Sequence, residues 1–306
     1  MSERPLIVSV GQVGMHCYAV VPHLPVSERP VHVDEISLQV GGSAAIAAGT
    51  AAAMGCDSRL VCKLADDFME QFILRATRDA GIETCGVLDK DRRLSPIHFI
   101  AIGKRNGQKR VFQAPGDAGE LSLADIDPAV VLDGASALLL DGHDGSAQIA
   151  LAQQARERGI PVIVDASRMG EGLGTLAALA DVFICSERLA AELAQPESLE
   201  ESLIEIQRLG PRTVIITLGA SGSVGLRGDK MVEQQTFNVD VTDTSGAGSV
   251  FHGAFATALV GEERPFAQCM ELASAAAALS CQKLGSWGGI PNHAQVLERI
   301  RGTTAH

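Results

Sequence analysis

The stretch Asp243-Thr244-Ser245-Gly246-Ala247-Gly248-Ser249 runs directly into the apolar segment Val250-Phe251-His252-Gly253-Ala254-Phe255. Its small residues let the backbone turn without Cβ clashes, so that successive N–H groups can point into one space. Apolar residues then recur with helical spacing, which predicts a helix whose positive N-terminal end faces the same space. The stretch therefore predicts either a binding site for a phosphate or a developing oxyanion, or a glycine-rich turn without a ligand.

The flanks of the glycine turn favour the first interpretation. Asp-Thr-Ser-Gly-Ala-Gly followed at once by an apolar helix, late in a chain of 306 residues, closely resembles the second signature of the PfkB (ribokinase-like) carbohydrate kinase family. The resemblance implies that Gly246, Ala247 and Gly248 form an anion hole for the transferring phosphoryl group. In the family, the next residue is an aspartate that accepts the proton of the sugar hydroxyl. Here that position holds Ser249.

The longer run from Val239 to Gly253 looks most like the branch of this family that contains sulfofructose kinase. A sulfonate would need a set of basic residues, and no clear set is recognisable in the sequence. The resemblance therefore implies a sugar or sugar-like substrate without identifying it.

Composition limits the class of partner. The chain is 46% hydrophobic, with a formal net charge of -12 and a pI near 5.1. These values argue against nucleic acid or an anionic membrane as the main partner, because both require basic surfaces. No stretch reaches the roughly 20 apolar residues of a membrane span, and we expect a cytoplasmic protein. Seven cysteines without a C-x-x-C motif indicate buried thiols and not a metal site or a disulfide framework.

Alternating strands and helices predict the fold of the main body. Short runs of Val, Ile and Leu predict strands at 6–10, 137–140, 162–164, 182–185 and 213–217. Amphipathic patterns predict helices at 66–80, 146–158, 187–193 and 199–209. This alternation predicts an α/β fold, a doubly wound and mostly parallel sheet with helices on both faces. Polar residues follow four strands, at 141–144, 165–167, 186–187 and 217–219, where ligands collect in such folds.

Two segments interrupt this pattern. Residues 17–21 and 31–33 read as short strands broken by prolines, and residues 97–102 and 110–113 read as a hairpin around Asn106-Gly107. We therefore expect a small β-sheet of residues 12–35 and 95–114 beside a body of residues 1–11, 36–94 and 115–306. The resemblance implies that this sheet is a lid over the sugar and that it joins two chains in a homodimer.

The sugar side of the site is expected near the start of the chain. Gly41-Gly42 opens a small-residue helix through Met54 and resembles the first signature of the family, in which a following Asn touches the sugar. We place Ala45 at that position. His16 falls where the family carries a sugar-binding Asp, although a histidine satisfied in a turn is an equally good interpretation. The substrate-binding residues implied are His16, Gly41, Gly42, Ala45 and Asp141.

The nucleotide side is expected in the second half of the chain. Residues 215–225 resemble the strand and turn that pass beside the phosphates of ATP, and residues 273–291 resemble the wall of the adenine pocket. The cofactor-binding residues implied are Ser186, Thr217, Gly219, Gly222, Asp243 and Ala276. The resemblance also implies Mg²⁺, with Glu187 acting through water, and a monovalent cation such as K⁺ near Asp243.

The serine at position 249 leaves two functional predictions open. A hydroxyl group is too weak a base near neutral pH to replace a carboxylate. Loss of general base catalysis costs roughly 10²–10⁴-fold in rate, or about 3–5 kcal/mol of barrier. We therefore expect an ATP-dependent sugar kinase of very low activity. The alternative is a pseudokinase that binds nucleotide or sugar as a sensor or partner protein.

Overall fold

The computed structural model describes residues 4–24, 29–89, 91–92, 94–104, 108–143, 145–194 and 198–304. Within these residues the strands are β1 (Leu6–Val10), β2 (Gly14–Val21), β3 (Glu35–Gly41), β4 (Asp57–Ala65), β5 (Glu83–Asp89), β6 (Ile97–Gly103), β7 (Lys109–Ala114), β8 (Ala135–Leu140), β9 (Val162–Ala166), β10 (Val182–Ser186), β11 (Thr213–Thr217), β12 (Ser223–Arg227) and β13 (Lys230–Gln234). The helices are α1 (Ser43–Ala53), α2 (Phe68–Asp79), α3 (Pro128–Val131), α4 (Gly145–Glu157), α5 (Leu173–Leu179), α6 (Glu187–Ala194), α7 (Leu199–Arg208), α8 (Ala247–Ala256), α9 (Phe266–Ser280) and α10 (His293–Thr304). A 3-10 turn covers Gly219–Ser221, and a π-helical turn covers Thr257–Gly261.

The main body is built on a nine-stranded sheet with the order β13-β12-β11-β10-β9-β8-β1-β4-β5. The strands from β11 to β5 are parallel, while β12 and β13 run antiparallel to their neighbours. Runs of Val, Ile and Leu favour this arrangement because parallel strands are buried on both faces. The strand β1 is central in the sheet, with a parallel neighbour on each side.

Alternate residues of each strand enter two different cores. Val8 of β1 lies in a cluster with Leu151 of α4 and Leu203 of α7. Ile7 lies in a second cluster, which includes residues of α1, α8 and α9. Because side chains alternate between the faces of a strand, the sheet is covered by helices on both sides. The doubly wound α/β class expected from the sequence is thus confirmed.

The smaller sheet has the order β3-β2-β6-β7. The second predicted strand of this sheet lies later in the chain than expected, because residues 31–33 have no regular structure and pairing with β2 begins at Glu35 and continues to Gly41. Residues 36–41, which we had assigned to the body, therefore form a strand of the smaller sheet. The strands β6 and β7 pair as an antiparallel hairpin. The turn expected at Asn106-Gly107 lies outside the described residues.

The helices α1 and α8 cross at very short range. A Cβ atom on Gly253 of α8 would lie 2.5 Å from the carbonyl oxygen of Ala47 and 2.9 Å from the Cβ of Thr50. Only glycine permits this approach, which places the start of α8 beside α1. Within the described residues, no helix combines the length and the apolar character needed to span a membrane.

Replacing Gly253 tests this crossing. We expect Gly253→Ala to lower the free energy of unfolding by about 2 kcal/mol, because the new methyl group forces two backbones apart. The matched control is Gly302→Ala in α10, where a Cβ meets no atom within 4 Å. That change should raise stability by up to about 1 kcal/mol through helix propensity. Chemical denaturation of both variants measures the difference, and equal values for the two would contradict the packing argument.

Candidate active site

The N-terminus of α8 forms an open cradle. Gly246 precedes the helix with a φ of 76°, and no side chain caps the helix. A Cβ on Gly246 would lie 2.5 Å from the Cβ of Ser286, so the turn has room for glycine alone. Gly248 is exposed, and a Cβ placed there would meet no atom within 4 Å. The first amides of a helix have no intrahelical acceptor. Here the Ala247 amide lies 3.4 Å from the carbonyl oxygen of Thr244, while the Gly248 amide in the exposed turn faces the open space, where an anion can bind.

A cleft of about 460 Å³ adjoins this cradle, with Ala247 and Gly248 in its lining. Its other walls include Thr217, Gly219 and Gly222 from the end of β11 and the following turn, and Ser274, Ala277 and Ala278 from α9. Ala276, which we predicted to line the nucleotide site, is instead fully buried in the core. The helical period turns its side chain away from the cleft and presents its neighbours Ala277 and Ala278.

Asp243 connects the signature loop, residues 243–246 before α8, to the smaller sheet. Its buried carboxylate accepts a hydrogen bond of 2.7 Å from the ammonium group of Lys109 on β7. The same ammonium group contacts the hydroxyl groups of Thr244 at 3.1 Å and Ser245 at 3.0 Å. Burial alone would raise the pKa of Asp243, but Lys109 outweighs burial and lowers it. Lys109 thus supplies positive charge where the resemblance implied a monovalent cation.

Two further side chains of the smaller sheet hold the C-terminal glycine turn, residues 284–291 between α9 and α10. The hydroxyl group of Tyr18 on β2 lies 3.1 Å from that of Ser286 and accepts the Ser286 amide. The side-chain amide of Gln39 on β3 donates to Leu284 O at 2.9 Å and accepts the Gly288 amide at 2.9 Å. The smaller sheet is therefore docked on the glycine-rich loops of the body.

His16 lies on the inner face of the smaller sheet, stacked on His98 with ring centroids 4.7 Å apart. Burial, and then the neighbouring His98, lower the pKa of His16 to about 4. The ring is therefore neutral at pH 7 and can donate or accept one hydrogen bond to a hydroxyl group. Gly41 faces this ring so closely that a Cβ there would lie 2.2 Å from it. Gly42, with a φ of 98°, precedes α1.

Asp141 follows β8 and is held entirely by the protein. Its carboxylate accepts hydrogen bonds from the Gln12 amide at 2.6 Å, the Ser43 hydroxyl at 2.6 Å and the Gln148 side-chain amide at 2.8 Å. His143 adds its backbone amide at 3.1 Å and its ring at 3.4 Å. Burial would raise the pKa of Asp141, but these contacts, His143 foremost, lower it to about 2. Because the acceptor positions are occupied, Asp141 braces the site instead of contacting a substrate as we expected.

Asp165, on β9, stands beside Ser249. The Ser249 hydroxyl acts on its carboxylate and lowers its pKa, and its Oδ2 lies 3.8 Å from the ring Nδ1 of His252. Burial, followed by the charge of Asp141, raises the pKa of Asp165 to about 7. Burial lowers the pKa of His252 to about 4, so its ring is neutral near pH 7. The sequence analysis did not predict a role for Asp165, although its position at the carboxyl end of a parallel strand is one where ligands commonly bind.

In the first turn of α1, the side chain nearest the signature loop lies one residue later than predicted. Ala45 is fully buried in a cluster with Val13 and Val40, so its side chain cannot contact a substrate. Ile46 is the side chain that approaches the signature loop, since a Cβ on Gly246 would lie 3.7 Å from it. The phase of the helix is set by its packing against α8, which the sequence alone did not show.

Ser186 and Glu187 lie at the junction of β10 and α6. The Ser186 hydroxyl accepts the Leu189 amide at 3.3 Å and so caps α6, while Glu187 is exposed in the first helical turn. Within the described residues, no group of three or more metal-ligating side chains occurs. The single exposed carboxylate of Glu187 fits a Mg²⁺ ion held mainly by nucleotide phosphates and water, since Mg²⁺ retains several waters in such sites.

The sequence and the fold of this chain are similar to those of known proteins. The sequence profile of the pfkB family carbohydrate kinases matches residues 4–292. Ribokinase of Arabidopsis thaliana is 27% identical over 315 residues, which cover 98% of this chain and 82% of the relative. A putative ribokinase from Agrobacterium tumefaciens has a TM-score of 0.91 at 25% identity, covering 100% of both chains. Arabidopsis thaliana ribokinase, solved with ribose and ATP, has a TM-score of 0.80 at 24% identity, covering 98% of this chain and 99% of that one.

The raised pKa of Asp165 predicts a pH-dependent gain in stability when its charge is removed. Its folded pKa of about 7 lies above the ordinary 3.8, so the proton bound in the folded state stabilises the fold below about pH 4. That contribution is lost as the pH rises to about 7. Asp165→Asn should therefore raise the free energy of unfolding at pH 8, by on the order of 2–4 kcal/mol, and change it little at pH 4.

Urea denaturation at both pH values measures this effect. The control is Asp133→Asn, at an exposed position, which should change stability little at either pH. An Asp165→Asn variant that is destabilised equally at pH 4 and pH 8 would show that burial does not keep Asp165 protonated.

Proposed function

Since this chain belongs to the pfkB family of carbohydrate kinases and has a ribokinase-like fold, we propose that it transfers the γ-phosphoryl group of ATP to a hydroxyl group of a sugar or sugar-like alcohol. The observation that carries the proposal is the open cradle at the start of α8, which adjoins a cleft of about 460 Å³. Sugar and ATP are the ligands named for the solved Arabidopsis ribokinase. The sulfofructose kinase resemblance stays a prediction.

ATP would bind along the cleft. The adenine ring would lie between the turn at Gly219–Ser221 and α9, where the lining of the cleft is largely apolar. The phosphates would reach the amides of Gly246, Ala247 and Gly248. Those donors face the site where negative charge develops during transfer, and such preorganised dipoles commonly contribute the largest part of catalysis.

Mg²⁺ would neutralise charge on the phosphates, with Glu187 contributing through a water molecule. A monovalent cation at Asp243 would have to share that carboxylate with the Lys109 ammonium group, so we assign it no step. The ammonium group already links Asp243, Thr244 and Ser245 in the loop before the cradle. We propose that this contact keeps the signature loop ordered when the smaller sheet closes on it.

The sugar would lie under the smaller sheet, between its inner face and the start of α8. His16 and His98 face this space from neighbouring strands, while Gly41 and Gly42 bring the backbone of α1 close to it. This position would direct one hydroxyl group of the sugar towards Ser249 and the cradle. Because Ser249 is a poor base, we propose a low turnover for the chain.

The second candidate function is a pseudokinase that binds nucleotide or sugar without turnover. It is favoured by Ser249 and by the lack of a polar side chain at Ala45 and Ile46 in α1. Both functions require nucleotide binding, which should raise the melting temperature by mass action. They differ in whether restoring a carboxylate at position 249 restores turnover.

We also propose that the chain forms a homodimer through the outer face of the smaller sheet. Leu38, Cys17, Phe99 and Phe112 are successive neighbours across the four strands, so they share one face. Phe112 is 62% exposed, and Ile36 on the same face is 65% exposed. An apolar face of this extent is typical of a protein interface.

Restoring the carboxylate tests the reaction directly. Ser249→Asp should raise kcat by roughly 10²–10⁴-fold with a sugar substrate, because an aspartate accepts the hydroxyl proton in the transition state. ADP release is measured across aldoses, ketoses and nucleosides. The control is Ser249→Asn, which has the shape of the aspartate variant but no carboxylate, and it should not gain activity. No turnover by the aspartate variant with any acceptor, while an ATP analogue still raises the melting temperature, would favour the pseudokinase.

A charge on the outer face tests the dimer. Phe112→Asp should convert the protein to a monomer, because an aspartate buried in an apolar interface is strongly unfavourable. Light scattering after size-exclusion chromatography measures the mass. The control Val130→Asp introduces the same charge at a residue that is also 62% exposed, on α3, and should leave the dimer intact. A parent chain that is monomeric at all concentrations rules out this interface.

A further inference from the structure

Asp165 is a mostly enclosed carboxylate without a role in the reaction proposed above. Its side chain is 13% exposed and lies at the carboxyl edge of the large sheet, where ligands bind in this class of fold. The Ser249 hydroxyl faces it and favours its ionised form, and His252, one helical turn further along α8, lies 3.8 Å from its Oδ2. The carboxylate expected at position 249 therefore has a counterpart directly beside Ser249.

We propose that Asp165 accepts the proton of the sugar hydroxyl during phosphoryl transfer and that the Ser249 hydroxyl relays the proton to it. The inference rests on the proposed sugar kinase function. The relay would give a chain with serine at this position a route for the hydroxyl proton.

The geometry of α8 supports this relay. Ser249 and His252 are three residues apart in the helix, so both project from one face, and both contact Asp165. The anion cradle of Gly246, Ala247 and Gly248 occupies the residues immediately before Ser249. A hydroxyl group aligned with a phosphate in this cradle would thus have Ser249 beside it and Asp165 behind Ser249.

The surroundings of Asp165 suit a proton acceptor. Asp141 and His143 act on it from the end of β8, with opposite effects on its pKa, and His252 faces it from α8. Burial raises the pKa of Cys185, on the neighbouring strand β10, to about 12, so that residue stays an uncharged thiol. With its pKa near 7, Asp165 can both accept a proton and release it again near neutral pH.

Asp141 and His252 are less suitable. The carboxylate of Asp141 is filled by hydrogen bonds, and its pKa of about 2 makes it a very weak base. The ring of His252 is fully enclosed, and its pKa is about 4. Two neighbouring carboxylates whose surroundings drive their pKa values apart commonly divide structural and acid–base roles.

The step balances without any further reactant. The sugar oxygen forms a bond to the γ-phosphorus as the bond from that phosphorus to the bridging oxygen of ATP breaks, and ADP leaves with the bonding electron pair. The hydroxyl proton passes to the Ser249 oxygen, while the Ser249 proton passes to an oxygen of Asp165. Asp165 returns its proton to solvent after the product leaves.

A double-mutant cycle tests the relay. Phosphate transfer from [γ-³²P]ATP is measured for the parent chain, Asp165→Asn, Ser249→Asp and the double variant, with D-ribose, D-fructose and other sugars as acceptors. In the parent, Asp165→Asn should lower kcat at least about tenfold and leave the KM for ATP within about twofold. In the Ser249→Asp background, the same change should lower kcat less than about threefold, because the direct base no longer needs the relay.

The pH dependence separates proton transfer from a structural role. The kcat of the parent should rise as the pH passes through about 7, and Asp165→Asn should lose this inflection. A ¹³C NMR titration of the Asp165 carboxyl group should show a midpoint near 7, moving higher in Ser249→Ala because that variant lacks a donor to the ionised form. The surface variant Glu157→Gln is the control and should match the parent.

The outcomes distinguish the relay from the proposed function. Parent turnover that survives Asp165→Asn, or a titration midpoint near 4, overturns the relay and leaves the kinase function standing. The same holds if Ser249→Asp is active while the parent shows no transfer at all. If no variant transfers phosphate to any acceptor, the kinase function fails and the relay fails with it.

Discussion

The geometry of the site depends on the hydrogen bonds that the buried Asp141 carboxylate accepts. It joins the segment after β1, the start of α1 and the helix α4 to the end of β8 through Gln12, Ser43 and Gln148. These donors keep the carboxylate charged without solvent, because a buried charge is tolerated only when it is fully hydrogen-bonded. Its fixed charge also contributes to the raised pKa of Asp165. One bracing contact therefore sets both the shape of the site and the acid–base character of its neighbour.

The smaller sheet and the open cradle at the start of α8 are joined by a few polar contacts. Lys109 binds Asp243 in the signature loop, while Tyr18 and Gln39 bind the C-terminal glycine turn. Ser286, which belongs to the C-terminal glycine turn, packs against Gly246. Movement of the sheet would therefore disturb the turn from which α8 begins. In the proposed kinase, this connection links sugar enclosure to the geometry that binds the phosphates.

Local patterns were sufficient for much of the fold. The glycine turn and the apolar stripe after it predicted the start of α8, and pure apolar runs predicted five of the buried parallel strands. The strand β4 was missed because Arg59 and Lys63 interrupt its apolar run. In the structure Arg59 donates to backbone carbonyls near α3, and Lys63 pairs with Asp125. Such long-range partners cannot be read from a local pattern.

The site was harder to predict than the fold, because helix phase and distant contacts decide it. Ala45 and Ala276 lie on the correct helices but face the core, since packing determines which side of a small-residue helix is exposed. Asp165 and Ser249 are far apart in the chain and meet only because β9 ends beside α8. Asp141 was identified correctly as a polar residue at a strand end, but its carboxylate is occupied by the protein itself.

The central claim is that the open amides at the start of α8 bind the phosphates of ATP. Two-dimensional ¹H–¹⁵N NMR of the protein, titrated with a non-hydrolysable ATP analogue and Mg²⁺, tests it most directly. We expect large downfield shifts of the Gly246, Ala247 and Gly248 amide protons, because each would donate a charge-assisted hydrogen bond to a phosphate. Saturable nucleotide binding that leaves these three signals unmoved would contradict it.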